Sequence, residues 1–174
     1  MTAVVIGLGN PLCGDDGIGP AVVAALPPLP GVRLVPRIAD PLALVDAWTG
    51  ADLAVVVDAV RGAFRAGEVV RCAGAAPPGG AGRGGHALDV AAAARLGEVL
   101  GRSPGRLVVL GVAGVDFSPG RGLSAPVTAA LPAAVRAVLA EGLWSSQIGQ
   151  NARSATSPER VGWTPEGTAD REER

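Results

Sequence analysis

Three stretches of the chain carry side chains that can move protons or bind a cation. Asp15 and Asp16 stand side by side in GLGNPLCGDDGIGP, residues 7–20. Asp58 closes the apolar run of ADLAVVVDA, and His86, the only histidine, ends the small-residue stretch GAAPPGGAGRGG. One Asp ahead of a helix needs no chemistry, because a carboxylate there caps free N–H groups and complements the helix dipole. Two adjacent ones between Gly14 and Gly17 exceed that need. Like charges so placed repel unless a cation or hydrogen-bond donors compensate. Asp58 reads either as an exposed strand-end carboxylate or as a ligand group at the mouth of a strand. With a single His in the chain, a two-histidine zinc motif is excluded. Asp16, Asp58 and His86 together form an O, O, N donor set, enough to hold one divalent cation with positions left open. Imidazole with carboxylates suits Zn or Ni better than Ca or Mg, which favour all-oxygen shells. Cys13 and Cys72 have no C-x-x-C spacing and are expected to be structural.

The elements that must position these groups are legible in the apolar pattern. Residues 3–9 read as a buried strand ending in glycines. From Ile18 the positions Ile18, Val22, Val23 and Leu26 follow helical spacing, and Pro20 confines the start of that helix to about residue 17. VRLVP is a short second strand. DPLALVDAWTG is a helix with Asp40 at its N-cap and Pro41 at its first position. Leu53–Val57 is apolar without alternation, as expected of a parallel strand covered on both faces. GEVVRCA and RLVVLGVAG complete the strands. One helix opens at His86, with Leu88, Ala92, Leu96 and Val99 on its inner face. A last helix carries the stripe Leu123, Val127, Leu131, Val135 and Val138 or Leu139. Strands alternating with helices predict a three-layer α/β/α sandwich with a mainly parallel twisted sheet of about five strands. Such sheets keep their sites at the carboxyl ends of the strands, and Asp16, Asp58 and His86 all follow such ends or the loops leading from them. The single domain is expected to span residues 1–143. Residues 144–174 are polar and aperiodic and read as a disordered tail. Truncation after Glu141 or Gly142 is accordingly expected to change stability little.

Composition narrows the chemistry. All fifteen basic residues are Arg, so Schiff-base and P-loop lysines are excluded, and the absence of Tyr removes a tyrosine nucleophile. A net charge of -1 gives no footprint for nucleic acid and none for a membrane surface. Two cysteines make no disulfide framework. There is no recognisable signal peptide and no run of about 18 apolar residues, so a cytoplasmic location is the expectation.

Taken in order, GLGNPLCGDDGIGP, VVVDAV, the GGH after the small-residue stretch and GVAGVDFSPGRGLSAPVTAALP resemble the hydrogenase maturation endopeptidases. The resemblance runs from residue 3 to about residue 141. It implies a twisted sheet sandwiched by helices, of the phosphorylase/hydrolase-like kind. It implies a protease that clips the C-terminal extension from the large-subunit precursor of a [NiFe]-hydrogenase after nickel insertion. The family's metal positions map onto Asp16, Asp58 and His86, which the resemblance makes both metal-binding and catalytic. Nickel then comes with the precursor, Zn or Cd could take its place, and the enzyme is expected to act as a monomer. Whether a carboxylate of the aspartyl-protease type or a metal-activated water drives hydrolysis stays open. The chain departs from the family pattern at Asp16, where many relatives have Glu, at Gly84 and Gly85, where relatives often have Ser, and at Ala113, where relatives often show an acid.

Two other readings compete. GLGNP also opens the peptidyl-tRNA hydrolases, but that pattern expects a tyrosine and an early T-R-H-N block. A nucleotide-binding α/β module would use the glycine loop as a phosphate cradle. Leu12 stands where the third glycine of G-x-G-x-x-G belongs, and two aspartates face the wrong way electrostatically for phosphate.

Overall fold

The computed structural model describes residues 1–38, 40–73 and 90–143. Five strands, β1 (Ala3–Leu8), β2 (Val32–Ile38), β3 (Leu53–Val60), β4 (Val69–Ala73) and β5 (Arg106–Ala113), form one sheet in the order β2-β1-β3-β5-β4. All neighbours are parallel except β4, which runs antiparallel to β5. The helices are α1 (Ile18–Ala25), α2 (Pro41–Trp48), α3 (Val90–Val99) and α4 (Ala125–Leu139).

The two-residue period of the strands sorts their side chains onto two faces. Val5, Val55, Val57, Val108 and Leu110 pack with α1 and α4, while Val4, Ile6, Ala54, Val56 and Val109 pack with α2 and α3. Helices on both faces make the three layers that the unbroken apolar runs of β1 and β3 require. α2 begins as its sequence dictates: the Asp40 carboxylate accepts the Ala43 N–H at 2.8 Å and Pro41 occupies the first turn.

Two helical faces differ from expectation. α3 turns Val90, Ala93 and Gly97 inward, leaves Leu96 at the flank, and exposes Val99 to 85%. The cause is Trp48. Its ring fills the space between α2 and α3, and a Cβ on Gly97 would lie 3.5 Å from Trp48 Nε1, so the helix presents its small side to the indole. The proposed beginning of this helix, with Leu88, lies outside the described residues. α4 keeps Val127 and Val138 in the core, yet Ala130 and Ala134 take the buried positions between them, with Leu131, Val135 and Leu139 at the margin.

The core also extends past α4. Leu143 is 5% exposed and belongs to the same apolar cluster as α1 and α4. Glu141 is buried and held by Arg71 through two hydrogen bonds of 2.5 and 2.9 Å. Truncation after Glu141 or Gly142 therefore removes a core side chain, against the sequence-based expectation. The tail, residues 144–174, lies outside the described residues.

Candidate active site

The chain leaves β1 toward β2 by way of α1, and leaves β3 in the opposite direction toward β5. The carboxyl ends of β1 and β3 thus flank the switch point of the sheet, where open α/β folds have a crevice. α1 is seated directly on these two ends. A Cβ on Gly19 would fall 2.3 Å from the Leu8 carbonyl oxygen and 2.5 Å from that of Val57, so only glycine allows the approach. Gly9, with φ 110°, turns the chain sharply after β1, and a Cβ there would meet the Asp16 carbonyl oxygen. A single 3-10 turn, Gly14–Gly17, then leads into α1.

Neither aspartate in that turn caps a helix. Neither the turn nor α1 has a side-chain cap. Asp16 Oδ2 instead accepts the Asn10 N–H at 2.6 Å, closing the loop on itself. No hydrogen bond engages its Oδ1 among the described residues. Asp58, near the end of β3, uses Oδ1 to accept the Ala59 N–H at 2.8 Å, and its Oδ2 is likewise without a hydrogen bond among the described residues. The two carboxylates are close enough to sense one another. Burial, reinforced by the charge of Asp16, pushes Asp58 from the usual carboxylate range up to about 7, against the pull of its one backbone donor. Two coupled acids, each with an oxygen that accepts no hydrogen bond among the described residues, form an arrangement that a cation stabilises.

Asp15 has a different task. Its carboxylate is fully buried and takes four donors: Val115 N at 2.8 Å, Asp116 N at 2.9 Å, Ser124 N at 2.6 Å and Ser124 Oγ at 2.9 Å. Burial raises its pKa, but the backbone donors of Asp116, Val115 and Ser124 outweigh it, and the net shift is downward. Backbone pairs add to the seam, with Gly14 N on Arg121 O, Asp15 N on Asp116 O and Gly120 N on Leu12 O. The loop after β1 and the loop between β5 and α4 are in effect one unit. Asp15 thus spends its carboxylate on joining these two loops.

Cys13 is part-buried on the same loop, with Asn10 Nδ2 donating to its sulfur at 3.4 Å. Cys72 is a core residue of β4. His86 lies outside the described residues, as do Gly84 and Gly85. Among the described residues no three His, Cys, Asp or Glu side chains converge as a metal-binding group. Among them, too, no helix is long and apolar enough to cross a membrane. Ala113, where relatives often carry an acid, ends β5 buried, with its N–H and C=O bonded to Glu68 and Gly67.

Sequence reasoning did not pair Arg61 with Phe117. Arg61, three residues after Asp58, lies with its guanidinium 3.6 Å from the centroid of the Phe117 ring. No local sequence signal pairs two residues so far apart.

Comparison with known proteins gives a consistent result. The family model HycI, described as hydrogenase maturation protease, matches residues 32–141. That segment includes Asp58 and His86 but begins after Asp16. Among solved structures, the hydrogenase maturating endopeptidase HybD from E. coli superposes with a TM-score of 0.72 at 25% identity, covering 83% of this chain and 94% of its own. A hydrogenase 2 maturation peptidase from Thaumarchaeota archaeon SCGC_AB-539-E09 gives 0.60 at 26% identity, covering 82% and 99%. The [NiFe] hydrogenase maturation protease HybD from Thermococcus kodakarensis gives 0.62 at 22%, covering 80% and 98%, a likeness of fold. No curated protein sequence matches.

Proposed function

This chain belongs to the hydrogenase maturation protease family, and from that premise we propose that it removes the C-terminal extension of a [NiFe]-hydrogenase large-subunit precursor once nickel has been inserted. The observation that carries the reading is the electrostatic coupling of Asp16 and Asp58 at the switch point, each anchored by one oxygen and, among the described residues, without a hydrogen bond at the other. We assign His86 the third place. It precedes Val90, the first residue of α3, by four residues, which limits the separation of their Cα atoms to about 14 Å. α3 packs Gly97, in its C-terminal half, against Trp48 at the C-terminal end of α2, which directs Val90 away from that end of the domain.

In this reading the nickel arrives as part of the substrate. Asp16, Asp58 and His86 receive it through two carboxylate oxygens and one imidazole nitrogen, a donor set suited to Ni and equally able to take Zn. When held there the metal polarises a neighbouring carbonyl. The rest is positioning: a nickel-loaded precursor docks with its scissile bond fixed beside the two acids, whereas an empty precursor lacks the third party that relieves their repulsion. The oxygen with which Asp58 would bind the metal is the one that the Ala59 N–H leaves open, so in this reading the residue serves as a ligand.

The test is incubation of the full chain with candidate large-subunit precursors, with and without nickel, read by mass spectrometry. Loss of a C-terminal fragment from the loaded precursor alone is the expected result, and Asp58→Ala abolishes it. Equal cleavage of the nickel-free precursor overturns nickel recognition, and cleavage of neither overturns the endopeptidase reading.

A further inference from the structure

We propose that Arg61 is a substrate-anchoring residue that pairs with a carboxylate of the precursor segment entering the site; the inference rests on the endopeptidase reading above. Three observations carry it. First, Arg61 is stacked. Its guanidinium lies 3.6 Å over the Phe117 ring, and that ring lies close against Gly114: a Cβ there would lie 2.6 Å from Phe117 Cζ and 2.9 Å from the Asp15 Cβ. Glycine at 114 lets the ring lie flat against the backbone beside the most tightly held residue of the site. Stacking engages the face of the guanidinium and leaves its edge, with its fork of N–H donors, turned outward.

Second, that edge has no acid. Arg71, Arg102 and Arg106 each pair with a carboxylate, whereas the exposed Arg61, like Arg33, Arg37, Arg65, Arg121 and Arg136, has no carboxylate within ion-pair distance among the described residues; what sets Arg61 apart is the Phe117 ring against it. An arginine stacked on an aromatic ring and left without a counter-charge is open to a partner that comes and goes. A carboxylate is the group that matches its planar fork, through two parallel N–H to O bonds.

Third, it lies beside the site. It follows Asp58 by three positions, so their Cα atoms are at most about 11 Å apart. The two loops that meet at Asp15 add exposed apolar side chains, Leu12 at 70% and Val115 at 60%. An extended peptide that reaches Asp16 and Asp58 passes within reach of the Arg61 charge and this apolar rim. The carboxylate it meets belongs either to an acidic side chain of the precursor segment or to its C-terminus.

The experiment uses the full chain, the nickel-loaded precursor and a synthetic peptide of the precursor's C-terminal segment. Arg61→Ala is expected to weaken peptide binding and raise KM about tenfold, with kcat within about twofold of the parent. Phe117→Leu, which frees the guanidinium without removing it, gives a smaller rise, and Arg61→Lys restores only part of the affinity. Peptides with an amidated C-terminus or with acidic side chains converted to amides then identify the partner. One of them binds the parent enzyme about tenfold more weakly and binds Arg61→Ala no differently from the unmodified peptide. Unchanged affinity in Arg61→Ala, a loss confined to kcat, or indifference of the parent enzyme to every neutralised peptide overturns the anchor. Cleavage with an unaltered KM in Arg61→Ala overturns the anchor and leaves the endopeptidase. Peptide binding that depends on Arg61 without any cleavage does the reverse, and absence of binding by the parent enzyme overturns both.

Discussion

The Asp15 carboxylate receives both the backbone N–H and the hydroxyl of Ser124, at 2.6 and 2.9 Å, across 109 positions of sequence. Ser124 stands immediately before α4, so one buried acid fastens the first loop of the chain to the start of its last helix. Asp16 is the next residue, and its position at the rim depends on that fastening.

Asp15→Ala leaves three backbone N–H groups without their acceptor. The expected loss of stability is about 3 kcal/mol or more, read by urea denaturation. The pH dependence has a definite sign. The folded pKa of Asp15 lies below its ordinary value of 3.8, so its stabilisation is complete above that value and is lost as pH falls through the lower, folded one. Asp15→Asn should flatten this acid limb, and a variant as acid-sensitive as the parent would contradict the assignment.

Asp58 behaves in the opposite sense. Its pKa rises from 3.8 to about 7 in the folded chain, so in metal-free protein its contribution is fully present below 3.8 and declines as pH rises through 7. Asp58→Asn keeps the acceptor for Ala59 and removes the charge. The variant should melt higher than the parent at pH 8 and lose that advantage at pH 4, while processing no precursor. A thermal midpoint below the parent's at both pH values counts against a buried, neutral-prone carboxyl.

His86 is the sole imidazole, so the pH profile of Zn or Cd binding should contain a single histidine step. Metal binds the neutral ring and the ionised carboxylate, so affinity should fall with pH as the imidazole and Asp58, raised to about 7, take up protons, and His86→Ala should keep only the carboxylate step. His86→Ala is expected to lose at least tenfold in affinity by calorimetric titration. Parental affinity in that variant would remove His86 from the site.

Leu143 is the last described core residue, 5% exposed. A chain ending at Leu143 should melt close to the full-length protein, since the polar residues beyond it lack a core pattern. A chain ending at Gly142 should lose about 2 kcal/mol, the value of one buried leucine. Equal midpoints for the two truncations would show that Leu143 adds nothing.

The sequence alone determined the layers and which carboxylates stand at the ends of the strands. The unbroken apolar run of β3 admits only a strand covered on both faces, Asp40-Pro41 marks a helix start, and Asp16 and Asp58 follow strands whose ends line a crevice in any open parallel sheet. These are short-range facts, since period, caps and glycine turns are written in neighbouring residues. What the tertiary structure decided depends on partners distant along the chain. Trp48 chose which side of α3 is buried, and the loop before α4 turned Asp15 into a fastener while leaving Asp16 free. Burial raised the pKa of Asp58, with the charge of Asp16 adding to it, and Phe117 supplied the ring beneath Arg61. Pattern reports that a side chain must be buried or paired; only the folded chain brings up the particular neighbour that does it, because burial, charge and hydrogen bonding act through space and not along the sequence.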